Sequence, residues 1–195
     1  MENTWDKRLQ IKTVGRDDTH ADEYRYPYEP TPYSVLERLA ERGLIGAGDV
    51  VLDYGCGKGR VDFFLSHRTK AETIGIEYDP NIYEEAMKNR ETAVSKANFL
   101  QIRAEEYEVS HKVNRCYFFN PFSVEILCKV MARILESYYE AMRDIFLFFY
   151  YPSDAYISYL MALDELEFYE EIGCEDLFGG KNDRERILIF RLEGR

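Results

Sequence analysis

Positive charge is in short supply in this 195-residue chain: 25 Lys and Arg stand against 36 Asp and Glu, for a formal net charge of −11. That deficit disfavours a nucleic-acid surface, which neutralises phosphate with clustered Lys and Arg, although it leaves room for a local basic patch. Histidine is scarce, and His20, His67 and His111 show no metal-ligand spacing. The cysteines, Cys56, Cys116, Cys128 and Cys174, are scattered without a C-x-x-C pair. No metal is therefore expected, and reduced thiols in a cytoplasmic protein are. The apolar run from Ile145 to Tyr151 is far too short to span a bilayer, and no signal peptide opens the chain, so no membrane association is expected. Repeats and low-complexity tracts are absent as well.

Aromatic residues, by contrast, are plentiful, with 16 Tyr and 12 Phe. The length suits one domain with a short extension. The most informative stretch is Val50-Val51-Leu52-Asp53-Tyr54-Gly55-Cys56-Gly57-Lys58-Gly59-Arg60. Apolar residues running into an acid, then glycine at every second position, describe a buried strand ending in a turn too tight for side chains. Val61, Phe64 and Leu65 follow at helical spacing. A strand, a glycine turn and a helix start let a ligand lie against bare backbone at the carboxyl edge of a parallel sheet. The dinucleotide fingerprint needs glycine where Arg60 stands, and Asp53 places negative charge where a pyrophosphate would sit. A cationic ligand suits the turn better.

Ahead of this turn, residues 1–23 are polar and without periodicity, to be loosely held unless they pack on the domain. From Tyr24 to Tyr33, three prolines impose an extended path and four tyrosines supply adhesive surface, as in a lid or a packed strap. Residues 1–33 are thus read as an extension and possible lid, and 34–195 as the main domain. Thr31 as N-cap and Pro32 at the first helical position begin a helix that Gly43 stops.

After the turn, Thr73 to Glu77 reads as a second strand whose terminal acid lies about twenty residues beyond the glycines, where ribose-binding carboxylates sit in nucleotide folds. Asp79-Pro80 caps and starts a helix. A third strand, Asn98 to Ile102, leads into Arg103-Ala104-Glu105. A fourth, Cys116 to Phe119, delivers Asn120-Pro121-Phe122-Ser123, with Ser123 able to cap a long core helix. Ile145 to Tyr151 is a strand buried on both faces, Pro152-Ser153-Asp154 starts a helix, and residues 167–175 and 187–192 form a closing hairpin.

The glycine turn resembles motif I of the class I S-adenosylmethionine-dependent methyltransferases, and Glu77 with its strand resembles their motif II. The resemblance covers roughly residues 30–195. It implies an α/β fold, a doubly wound Rossmann-like sheet that is mostly parallel and ends in an antiparallel hairpin. It implies S-adenosylmethionine as cofactor, held along Gly55, Cys56, Gly57 and Gly59, with Asp53 near its ammonium and Glu77 and Tyr78 near the ribose. Family members often place an acid in the turn after the third strand, against adenine. Here Arg103 takes that place, leaving Ala104 and Glu105 as candidates.

The Asn-Pro-Phe turn is half of the Asn-Pro-Pro-aromatic motif of methyltransferases acting on amino or amide nitrogen. It is also similar to the Asn-Pro-Phe of some small methyltransferases related to the non-SET lysine-methylating families. The implied enzyme is a methyltransferase of EC class 2.1.1, in which Asn120 orients an acceptor nitrogen and touches the cofactor, and Pro121 and Phe122 fix and cover it. The acceptor favoured is a protein side-chain nitrogen or a small molecule rather than nucleic acid. The alternatives are a regulatory protein that binds the cofactor without transfer, a nucleic-acid base methyltransferase, and an NAD-dependent oxidoreductase.

Overall fold

The computed structural model describes residues 2–15 and 28–194. Tyr24, Arg25, Tyr26 and Pro27 of the tyrosine-proline stretch lie outside the described residues. Seven strands form one sheet in the order β3-β2-β1-β4-β5-β7-β6. These are β1 (Val50–Tyr54), β2 (Glu72–Glu77), β3 (Asn98–Gln101), β4 (Arg115–Phe118), β5 (Ile145–Tyr150), β6 (Glu167–Gly173) and β7 (Arg186–Leu192). The first five run parallel, and β7 lies antiparallel to both β5 and β6. The α/β class, the parallel sheet and the closing hairpin match the expectation from sequence.

Strand alternation sends side chains to two faces, and each face has its own core. Tyr117 of β4 and Phe148 and Tyr150 of β5 join one cluster, with α1 (Glu2–Leu9), α2 (Tyr33–Glu41) and α3 (Arg60–Thr69). Cys116, Phe118, Leu147 and Phe149 join the other, under α5 (Val124–Glu140) and α6 (Asp154–Leu160). The rings of Tyr54, Phe118 and Phe149 stack in series across three neighbouring strands, at 4.6 and 4.5 Å between centroids. The remaining helix, α4 (Pro80–Thr92), begins as anticipated: Asp79 accepts from the backbone N–H of Asn81 and Ile82, and Pro80 occupies the first position.

Two caps differ from expectation. Thr31 does not cap α2; Pro32 holds the N-cap position, and the Thr31 hydroxyl is 3.1 Å from the Tyr117 hydroxyl in a buried pair. Ser123 occupies the N-cap position of α5 but makes no side-chain capping bond. At Thr31 the side chain is drawn away from its local helix by a tertiary partner 86 residues on, whereas the buried Ser123 hydroxyl has no partner.

The N-terminal segment packs on the domain. Trp5 and Leu9 enter the core, and Trp5 donates to Glu37 of α2 at 2.8 Å. Buried Asp6 accepts from the Tyr33 hydroxyl at 2.6 Å and from the Thr13 backbone N–H and hydroxyl, both at 2.7 Å. A buried carboxylate with three donors is well satisfied, so this knot fixes residues 6–13 against α2. All four cysteines are free. Among the described residues, no helix is long and apolar enough to cross a membrane.

Candidate functional site

Along the sheet, the chain steps outward from β1 to β3 and then returns to lay β4 on the other side of β1. Crevices open at such reversals, outside the carboxyl ends of the strands. A cleft lies there, with Asp53, Gly55 and Cys56 from β1 and its turn, Glu77 at the end of β2 and Asp79 just after it, and Pro121 and Phe122 after β4 among its lining residues.

The turn after β1 is built for close approach. Gly55 and Gly57 have φ of +76° and +56°, a region that side-chain-bearing residues rarely adopt. A Cβ on Gly55 would come within 2.7 Å of Pro121, and one on Gly57 within 2.2 Å of the Tyr28 ring. The glycines therefore let both the Asn-Pro-Phe turn and the Tyr28 ring lie on the backbone. Tyr28 is held there by its hydroxyl, which donates to the Thr13 carbonyl at 2.7 Å.

Glu77 joins the two strand ends. Its Oε2 accepts from the Gly57 N–H at 3.1 Å, while Oε1 accepts from Tyr78 and Asp79 N–H at 2.9 and 3.0 Å. Burial raises its pKa, and the three backbone donors oppose that rise. The result is a buried carboxylate that braces the glycine turn.

Asp53 is 3% exposed and Asp62, in the first turn of α3, 1%. The two carboxyls interact with each other, and neither Asp53 Oδ2 nor either Asp62 oxygen has a donor from another side chain, the Asp62 carboxyl having only its own backbone N–H beside it. Burial pushes Asp53 up to about 7, with Glu77 adding to the rise and the bond from Asp62 opposing it. Asp62 is raised well above the ordinary range by burial and then by Asp53. Asp53 lines the cleft, whereas Asp62 stands behind it.

Arg60, at the start of α3, is 3% exposed. Its Nε donates to the Thr13 hydroxyl at 2.7 Å and its Nη1 to the Thr31 carbonyl at 3.1 Å, while the guanidinium stacks 4.4 Å over the Tyr33 ring. This residue ties the N-terminal segment to the cleft wall. Asn89 of α4 does the same from the other side, bonding the Lys12 N–H and carbonyl and the Lys58 carbonyl.

Of the residues expected from sequence, Asp53, Gly55, Cys56, Glu77, Tyr78, Ala104, Glu105, Pro121 and Phe122 line the cleft. Gly57 is covered by Tyr28, and Gly59 packs against Phe63 and Phe99. Asn120 is set back: its neighbours Phe119 and Pro121 line the cleft, its backbone adopts φ +41°, and its Oδ1 is buried without a partner. Arg103 points outward and pairs with Glu106 at 3.7 Å. Arg60, Asp62 and Tyr117 were not foreseen as parts of the site, whereas Tyr28 and Thr31 fall in the stretch read from sequence as a lid or packed strap. Tyr151, just after β5, also has positive φ, at +53°. It follows the same sheet edge, where strained backbone concentrates at functional sites.

Residues 51–144 match the family described as a methyltransferase domain. Among curated proteins, a protein-lysine N-methyltransferase of Saccharolobus islandicus is 30% identical over 91 residues, 43% of this chain and 56% of that protein. A ribosomal protein L11 methyltransferase of Cupriavidus pinatubonensis is 40% identical over 70 residues, 36% of this chain and 23% of that one. The chain thus spans about half or less of these relatives. An RNA methyltransferase from Salinibacter ruber, solved with S-adenosyl-L-homocysteine, superposes with a TM-score of 0.57 at 19% identity, covering 86% of this chain and 95% of that one. Magnesium protoporphyrin IX methyltransferase from Synechocystis, solved with its methyl donor, gives 0.57 at 16% identity, covering 82% and 76%. At such identities these structures speak for the fold.

Proposed function

Since the chain is a member of the class I S-adenosylmethionine-dependent methyltransferases, we propose that it transfers a methyl group from S-adenosylmethionine to a nitrogen of a protein side chain or small molecule. The residues present fit that cofactor. Gly55 lines the cleft without a side chain, Glu77 places a buried carboxylate at the neighbouring strand end, and Asp53 lines the cleft as an acid with a buried oxygen that has no donor from a side chain besides Asp62. Asp53 would hold the ammonium, Glu77 the ribose hydroxyls, and Ala104 and Glu105 the side of the adenine. When bound, the cofactor supplies a methyl group already activated on a sulfonium.

The protein then has chiefly to orient a nucleophile and keep water out. Phe119 and Phe122 provide an apolar wall, and the Tyr156 hydroxyl anchors the Phe122 carbonyl at 2.6 Å. Asn120, with its unpartnered Oδ1 in the same turn, is our candidate for orienting the acceptor nitrogen. Residues 28–31 line the cleft and act as its cover.

The observation that carries the acceptor class is charge. Five of the charged residues lining the cleft are acidic, Glu29, Asp53, Glu77, Asp79 and Glu105, and one, Arg60, is basic. Arg60 is also turned inward, to Thr13 and Thr31. Such a field concentrates amines and repels phosphate. The test is to incubate the protein with methyl-labelled cofactor and cell extract, then digest portions with protease or nuclease. Label released by protease, or already in small molecules, supports the reading; label released only by nuclease refutes it.

A further inference from the structure

The paired acids beneath the glycine turn carry a role for a residue outside the cleft. We propose that Asp62 is a positioning residue that is held protonated and donates a hydrogen bond to Asp53, keeping Asp53 ionised and oriented towards the cofactor's ammonium. This rests on the cofactor reading above.

The geometry leaves few other arrangements. Two carboxyls, 3% and 1% exposed, meet with no donor from another side chain for Asp53 Oδ2 or for either oxygen of Asp62, which has only its own backbone N–H beside it. Two like charges buried together cannot both persist, so one proton is shared between them. The titratable groups facing Asp53 are Asp62 from α3, Glu77 from β2, Tyr117 from β4 and Cys56 from the turn, and none of these is a cation. Nothing in that set would draw the proton away. Asp62 is the more enclosed member and stands behind Asp53, which lines the cleft. A proton kept on the rear acid leaves the single negative charge on the front one, where a cation can meet it. Directions of the pKa shifts agree: burial raises both acids, and the bond from Asp62 lowers Asp53.

The experiment is calorimetric titration of the full chain with S-adenosylhomocysteine between pH 5.5 and 9, with Asp62→Asn and Asp62→Leu beside the wild type. Wild-type affinity should fall by about tenfold per pH unit below the midpoint at which Asp53 protonates. Asp62→Asn keeps a donor and should leave that midpoint in place. Asp62→Leu removes the donor and should move it upward by about one to two pH units, with affinity recovered at high pH. A downward shift in Asp62→Asn would mean that Asp62 is charged and would overturn the proposal. So would an unchanged midpoint in a folded Asp62→Leu. If the leucine variant does not fold, Asp62→Asn alone decides, since the two protonation states of Asp62 give it different midpoints. Wild-type protein that binds no S-adenosylhomocysteine at any pH would overturn the cofactor reading, and this inference with it.

Discussion

The ring of Tyr28 fills the space that a side chain at Gly57 would need, approaching to 2.2 Å of where its Cβ would stand. Any larger residue at position 57 must therefore displace Tyr28 and also adopt φ +56°. Gly57→Val should lower the unfolding free energy by about 1–3 kcal/mol, the ordinary cost of such a backbone conformation, and abolish binding of S-adenosylhomocysteine. Denaturant titration and calorimetry measure the two effects separately. A folded valine variant with unchanged affinity would remove the glycine turn from the binding site.

The same contact bears on the cover. Tyr28 gains from its ring packing and from the bond to the Thr13 carbonyl, which the Asp6 and Arg60 knot holds in place. Tyr28→Phe loses only the hydrogen bond, and Tyr28→Ala loses both. If residues 28–31 close the cleft over the ligand, S-adenosylhomocysteine should slow protease cleavage between Tyr24 and Tyr33 in the wild type, slightly less in Tyr28→Phe and hardly at all in Tyr28→Ala. Cleavage indifferent to ligand in all three would leave the stretch as a packed strap.

Glu77 has two tasks, since its carboxylate accepts from Gly57, Tyr78 and Asp79 N–H and also faces the cleft. Glu77→Ala should weaken S-adenosylhomocysteine binding by roughly 1.5–3 kcal/mol and lower stability as well, because buried N–H groups lose their acceptor. Glu77→Gln retains one oxygen and should recover more stability than affinity. Equal recovery of both in thermal melts and titrations would reduce Glu77 to a structural brace.

The prominence of Glu77 in the sequence has a physical reason: adjacent parallel strands end at one edge, so an acid ending the second strand falls beside the turn ending the first. Asp79-Pro80 was equally legible, because a cap acts within its own helix. Asp62 was hidden. An acid in a helix's first turn ordinarily complements the helix dipole, and only the sheet behind α3 turns this one into a partner for Asp53. Arg60 was visible only as a missing glycine, because its bonds run to Thr31 and Thr13, 29 and 47 residues away. Thr31 and Ser123 carried good cap chemistry, yet tertiary packing overrode the first and left the second at its cap without the bond.

Asn120 is set back from the cleft with its Oδ1 buried and unpartnered, while Pro121 lies on Gly55. An amide so placed contributes little to holding the cofactor. Asn120→Ala should change S-adenosylhomocysteine affinity less than about twofold, while lowering the rate towards an identified acceptor by roughly a hundredfold, within the range of a lost positioning contact. Asn120→Gly relieves the φ +41° strain without restoring the amide, so it should be more stable than Asn120→Ala but equally slow. Full turnover in either variant would assign the turn a structural role alone.

The buried acids also make stability depend on pH in an unusual direction. Asp53 rises from the ordinary 3.8 to about 7, so the folded protein binds this proton more tightly than the unfolded chain does. The stability attached to it is fully present below the ordinary value and is lost as pH rises through about 7. Asp62, raised well above the ordinary carboxylate range by burial, keeps its proton in the arrangement proposed above. Exposed acids such as Asp176, lowered first by its hydrogen bond to Arg38, act in the opposite direction, but at the surface their effect is small. Asp53→Asn removes the titration and keeps an oxygen to accept from Asp62. Relative to the wild type, this variant should therefore gain stability between pH 5 and about 7, by on the order of 2–3 kcal/mol at about 1.4 kcal/mol per pH unit, and then level off. Denaturant unfolding of both proteins at four pH values measures the difference. A gap that stays constant with pH would mean that Asp53 is ionised throughout in the folded chain, its burial fully offset by the donors around it, Asp62 among them.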